Sequence, residues 1–181
     1  EASDVANAIF DGADSLLLTG ETAAGAFPVE AVATMARIVE DAEGHMSEWG
    51  ICPPGQAAGG EDDARAATGA ACELAMDRQV RAVAVFTRSG RTAGLMAKAR
   101  PAVEILAFTP DERVQREMCL LWGVTPLLVP TVDSVEEMVA SVEAALHRAG
   151  KVRAGDQVVI LASLPVSRMG PANFTYLHTV G

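Results

Sequence analysis

The stretch Ala82-Val83-Ala84-Val85-Phe86-Thr87-Arg88-Ser89-Gly90-Arg91-Thr92 decides the fold. Its first five residues are uninterruptedly apolar and rich in β-branched and aromatic side chains, the composition of a strand buried on both faces. The next residues turn polar, with a glycine among them. A helix then opens near Gly90 and ends before Pro101, because the residue preceding a proline is pushed out of the helical region. One strand, one tight turn and one helix make half of a parallel β/α repeat.

Downstream the rhythm recurs. A strand is expected over 104–108, and Thr109-Pro110-Asp111-Glu112 then reads as a helix start: Thr109 as cap, Pro110 in the first helical position and Glu112 closing a capping box. A strand over 126–129 precedes a helix over 133–149. There Val135, Met138, Val139, Val142 and Leu146 form one apolar stripe, Asp133 and Glu136 are read as the capping box, and Gly150 as the stop. The strand at 157–161 is followed by a Pro/Gly loop over 163–172, too short for a crossover helix, and by a second strand over 174–180. That last pair must therefore be antiparallel. Strands alternating with helices pair in parallel with right-handed crossovers. The expected fold is α/β: a three-layer α/β/α domain with a mostly parallel sheet and one antiparallel edge strand.

Upstream, a helix is expected over 64–76. Residues 44–63 are rich in Gly and Pro, lack a sustained period, and read as a linker. Before it the text gives a helix end over 3–10 stopping at Gly12, an apolar run Ser15-Leu16-Leu17-Leu18 suited to a buried strand, a loop, and a helix opening at Pro28. That helix gathers Val29, Val32, Ala36 and Val39 on one face. This is the tail of a β/α series. The expected organisation is thus 1–43, a linker at 44–63, and an α/β domain at 64–181.

Composition excludes several classes of function. The 181 residues carry 14 Lys+Arg against 24 Asp+Glu, a formal charge of −10, with no basic run, which argues against a reader of nucleic-acid phosphates. Hydrophobic residues make up 50% and charged residues 21%, enough apolar content to build a core. Cys52, Cys72 and Cys119 have no metal-ligand spacing and no even pairing, which fits a reducing, cytoplasmic compartment. No apolar run approaches the ~18 residues of a membrane span, and the first ten residues lack the pattern of a signal peptide. A chain opening on Glu1 reads as a fragment.

Chemistry concentrates at the ends of strands. Thr87, Arg88, Ser89, Gly90, Arg91 and Thr92 lie between a strand and a helix, where free backbone N–H groups, two guanidinium groups and three hydroxyls can all donate to phosphate oxygens. The competing reading is an ordinary βα turn with Ser89 or Thr87 as cap. No P-loop lysine follows, so this is not a Walker nucleotide site. The loop bearing Ser167, Arg168, Gly170 and Asn173 follows another strand end and is either a lid over the same pocket or a plain hairpin connection. Thr19, Glu21 and Thr22 follow the 15–18 strand, where a β/α barrel would place them at its mouth. His45, His147 and His178 share no metal-ligand spacing. The residues offer a ligand site, no catalytic apparatus and no metal site.

The ordered combination of motifs resembles the pyruvate kinase family. Ser3-Asp4-Val5-Ala6-Asn7-Ala8, Leu18-Thr19-Gly20-Glu21-Thr22-Ala23 and Pro28-Val29-Glu30-Ala31-Val32 look like the last helix-strand-helix of its (β/α)8 catalytic barrel. Phe86 to Ala93, Phe108-Thr109-Pro110-Asp111-Glu112, Trp122-Gly123-Val124 and His178-Thr179-Val180-Gly181 resemble its C-terminal domain. The resemblance implies an enzyme that transfers a phosphoryl group from phosphoenolpyruvate to ADP with Mg2+ and K+, as a cytoplasmic homotetramer, with the catalytic residues and metal ligands upstream of this chain. It implies an effector-phosphate loop at 87–92 and a covering loop at 167–173. A Trp and an Arg that bind fructose bisphosphate in eukaryotic members have Thr131 and Met138 in their places, so a sugar monophosphate or AMP is the implied effector. The arginine bias looks bacterial. The alternative is a stand-alone phosphate-binding module without kinase activity.

Overall fold

A computed structural model describes residues 2–45, 62–78, 80–150, 152–168 and 170–181. The chain divides into two compact units, Glu1–Cys52 and Pro53–Gly181. Most of the expected linker, residues 46–61, lies outside the described residues.

In the larger unit the elements follow in the order α4 (Asp63–Arg78), β1 (Ala82–Phe86), α5 (Arg91–Ala99), β2 (Glu104–Thr109), α6 (Glu112–Met118), β3 (Val124–Leu128), α7 (Val135–Arg148), β4 (Gln157–Ala162) and β5 (Phe174–Thr179). The sheet order is β3-β2-β1-β4-β5. The first four strands are parallel, and β5 runs antiparallel to β4 from Gln157↔Thr179 to Ala162↔Phe174. The expected mixed sheet, edge pair included, is what forms.

Alternation along each central strand supplies two cores. Val83, Val85, Ile105, Ala107, Val159 and Leu161 face one side and pack with buried residues of α4, α5 and α6. Ala84, Phe86, Leu106, Phe108, Val158 and Ile160 face the other, where Met138, Val142 and Leu146 of α7 cover them. Phe86 and Phe108 are register partners, and their rings stack at 4.9 Å and 12°. Fully burying a side chain of this size contributes roughly 1.5–3 kcal/mol, so β1, β2 and β4 are the stable centre on which the loops stand. Among the described residues α7 is the helix that forms the third layer.

The helix caps differ from expectation in an instructive way. Asp111, not Thr109, caps α6, its carboxylate accepting from the Arg113 and Val114 N–H groups at 2.8 and 3.2 Å. Thr109 still belongs to β2 and accepts the Asp111 N–H. On α7 the cap is Ser134, accepting from the Glu137 N–H at 3.1 Å, while Glu137 reaches back to the Asp133 N–H at 3.0 Å. The capping pair is therefore Ser134 and Glu137, one residue later than Asp133 and Glu136, with the return bond to the residue before the cap. At the far side His178 of β5 donates from Nε2 to Glu143 of α7 at 2.8 Å, since an ionised carboxylate can only accept.

In the smaller unit, α1 (Ala2–Phe10), α2 (Gly20–Ala23) and α3 (Pro28–His45) are all helical. The expected strand at 15–18 does not form: the segment has no regular secondary structure, and Leu17 is 86% exposed. A strand needs a neighbour to satisfy its ladder, and among the described residues none lies beside it. The apolar face expected on α3 is largely open to solvent. Val29 and Val32 are exposed, and Ala42 is the helix's only buried residue.

Candidate functional site

The loop after β1 is shaped by three backbone decisions. The Thr87 N–H donates to the Phe108 carbonyl at 3.0 Å, carrying the β1–β2 ladder one residue past the strand. Thr87 Oγ1 then accepts the Gly90 N–H at 3.0 Å and closes the turn. Gly90 sits at φ +78°, the left-handed region that side chains disfavour, and starts α5 with no side-chain cap. Neither Thr87 nor Ser89 caps the helix. The first in-helix bond comes from the Gly94 N–H to Gly90 at 2.9 Å, so the N–H groups of Arg91, Thr92 and Ala93 have no intrahelical acceptor.

The six loop residues divide by exposure. Thr87 and Thr92 are both 5% exposed and structural, whereas Arg88, Ser89 and Arg91 stand in solvent. They also divide by direction. Thr87 and Arg88 line a cleft at the carboxyl ends of the parallel strands, together with Thr131, Met138, Ser163 and Gly170. The cleft measures about 400 Å3 with its open mouth. Arg91 points elsewhere: its Nη2 meets Asp62 Oδ2 at 2.6 Å, just before α4. Hydrogen bonding from Arg91 holds the Asp62 carboxyl below its usual value, aided by charge attraction and by the Arg65 N–H, against an opposing push from burial.

The 163–173 loop forms the opposite wall. Val166–Arg168 makes a short 3₁₀ turn, with Ser167 and Arg168 exposed, and Gly170 lines the cleft. Asn173 does something else. Its side-chain amide accepts the Leu164 N–H at 2.7 Å and donates to the Leu164 carbonyl at 3.0 Å, while its own N–H donates to Ala162 at 3.0 Å. It pins the base of the loop, and its polar atoms are spent there.

Around Thr19, Glu21 and Thr22 the chain folds into α2 rather than an open loop. Glu21 accepts the Thr19 N–H at 3.3 Å, and the Thr22 hydroxyl faces the carbonyls of Leu18 and Thr19 at 3.3 and 3.2 Å. All three serve their own turn in this chain. Cys72 is buried, donates to the Ala99 carbonyl at 3.7 Å, and burial raises its thiol pKa, as for an inert core residue. The described residues do not fit a metal centre, because no three His, Cys, Asp or Glu side chains gather among them. No described helix is long and apolar enough to cross a membrane.

Sequence reasoning passed over one contributor, Asp62. Ser163, which opens the expected covering loop, and Thr131 each follow a parallel strand at its carboxyl end, where ligands of open α/β sheets bind, and both line the cleft. Asp62 lay inside text read as linker.

Comparison with known proteins gives a consistent result. Residues 65–178 match the family model described as pyruvate kinase, alpha/beta domain, and residues 1–32 match the model described as pyruvate kinase, barrel domain. Among curated relatives, the chain is 40% identical over 173 residues to a pyruvate kinase of Agrobacterium vitis, covering 96% of this chain and 36% of that one. It is 36% identical over 181 residues to one of Clostridium acetobutylicum, covering 99% and 38%. It is 40% identical over 180 residues to one of Geobacillus stearothermophilus, covering 99% and 31%. The chain spans about a third of the length of these relatives.

Proposed function

The chain belongs to the pyruvate kinase family, and on that premise we propose that it is the C-terminal portion of an enzyme that transfers a phosphoryl group from phosphoenolpyruvate to ADP, giving pyruvate and ATP. Its own contribution is effector binding and subunit contact within a cytoplasmic homotetramer. Phosphoryl transfer depends on positioning and charge stabilisation of the transferred group, and the catalytic residues with their Mg2+ and K+ belong to the remainder of the barrel. The isolated chain is inactive in this reading.

The observation that carries the reading is the cleft at the strand ends, lined by Thr87 and Arg88 just before the start of α5, in a chain that matches the family's two domains in order. Thr87, Arg88, Ser89, Gly90, Arg91 and Thr92 form the phosphate loop. The two buried threonines shape it, and Arg88, Ser89 and the helix N–H groups bind. Ser167, Arg168 and Gly170 cover the ligand, and Asn173 holds their loop. Across the cleft Thr131 and Met138 carry no charge, so the far end of the ligand meets no cation there. A sugar monophosphate or AMP suits that asymmetry better than a bisphosphate.

Effector control requires different affinity for two states of the enzyme, not binding alone. The test is a titration of the full-length enzyme carrying Arg88→Ala, or Ser89→Ala with Arg91→Ala, with glucose 6-phosphate, AMP and fructose 1,6-bisphosphate. Half-activating concentrations are expected to rise about tenfold or more for the monophosphates, the loss of one or two charge-assisted hydrogen bonds. Unchanged values reject the loop as the site.

A further inference from the structure

Arg88 and Arg91 flank one turn yet meet different surroundings. Arg88 faces the cleft, while Arg91, in the first turn of α5, is held by Asp62 at 2.6 Å. Asp62 is one-quarter exposed and divides its carboxylate between Arg91 and Arg65, the latter at 3.3 Å. We propose that Asp62 is a built-in competitor for the phosphorylated effector: its carboxylate occupies Arg91 when no anion is bound, and a phosphate over the start of α5 must displace it to gain the second guanidinium. This rests on the reading of residues 87–92 as a phosphate loop.

Three properties make the exchange feasible. A carboxylate and a phosphate present the same kind of acceptor to a guanidinium fork, so one can replace the other on Arg91. The pair is accessible, with 53% of the Arg91 side chain exposed, and accessible pairs hold weakly, so little opposes their opening. A phosphate monoester near neutral pH also carries more charge than a carboxylate. The exchange has a direction as well. Released from Arg91, Asp62 keeps only Arg65 and its place before α4, so effector binding is felt at the first turn of the helix that leads into the α/β unit.

The discriminating variant is Asp62→Asn. It removes the charge but keeps an oxygen for the Arg65 N–H, because Asn and Asp cap helices equally well. Calorimetry on the full-length enzyme with glucose 6-phosphate, AMP and inorganic phosphate is expected to give dissociation constants about fivefold lower for Asp62→Asn than for the wild type. In the Arg91→Gln background the same change is expected to have no effect. Independently of any variant, carboxyl NMR of wild-type Asp62 is expected to show its titration midpoint rising toward the ordinary value when phosphate saturates the site. If the wild type binds phosphate but Asp62→Asn binds no tighter, or the midpoint stays put, the competition is refuted and the phosphate loop survives. If no probe binds wild type or variant, or binding ignores both Arg88→Ala and Arg91→Gln, loop and competition fall together.

Discussion

Gly90 and Asn173 fix the two walls of the cleft by opposite means. Gly90 does so by lacking a side chain, since φ +78° is open to it and strained for others. Asn173 does so with its side chain, which pairs both backbone groups of Leu164 as a neighbouring strand would. Replacing Asn173 by Ala leaves that donor and acceptor to water or to nothing. The expected cost is about 1–2 kcal/mol in urea denaturation, with faster exchange of the Leu164 amide, and Asn173→Asp should fall between because it keeps the acceptor alone. An unchanged Leu164 amide in Asn173→Ala would reject the role. The sequence put Asn173 in an expected covering loop, and the structure has it pinning the base of the 163–173 loop. What it did not reveal is that its amide is spent on a partner nine residues away, because such a pairing leaves no local pattern. Arg91 hid in the same way: a cation beside a phosphate-like turn looks free until the carboxylate at residue 62 is placed next to it.

Elements were more legible than their ends. The strands at 82–86 and 157–161 were readable because short, nearly continuous apolar runs have one stable home, the middle of a sheet. The stripe on α7 was readable because five apolar residues at helical spacing cannot all face solvent. The start of α7 was misread by one residue, Asp133 for Ser134, because Asp and Ser are comparable caps and adjacent here. A pair of variants separates them: Ser134→Ala is expected to lower stability by about 1 kcal/mol and Asp133→Ala by much less. Equal effects in thermal denaturation would mean that the Ser134 hydroxyl is not what holds the first turn. The run at 15–18 was misread for a different reason. Apolar text states a preference for burial, but pairing belongs to the surroundings, and no described strand lies beside Leu17.

At the scale of the whole molecule the two units differ in how much they bury. The α/β unit has two packed cores on its sheet, whereas among the described residues of the smaller unit only Ile9 and Ala42 are buried hydrophobics, and Leu17, Phe27, Val29 and Val32 are exposed. A unit with so little core opens readily. In hydrogen exchange on this chain, amides of α1 and α3 are expected to exchange orders of magnitude faster than those of β1, β2 and β4. Comparable protection in both would overturn that ranking. The seam under α4 has a further consequence. The wholly enclosed side chains by which that helix meets the core, Ala64, Ala71, Cys72 and Ala75, are all short, with Leu74 alone adding a long one at its margin. Long side chains can change rotamer and absorb a nudge; alanine has no rotamer to change. A helix seated mostly on alanines is a stiff rod on a hard bearing, so a small push at its first turn meets little soft material in which to die away.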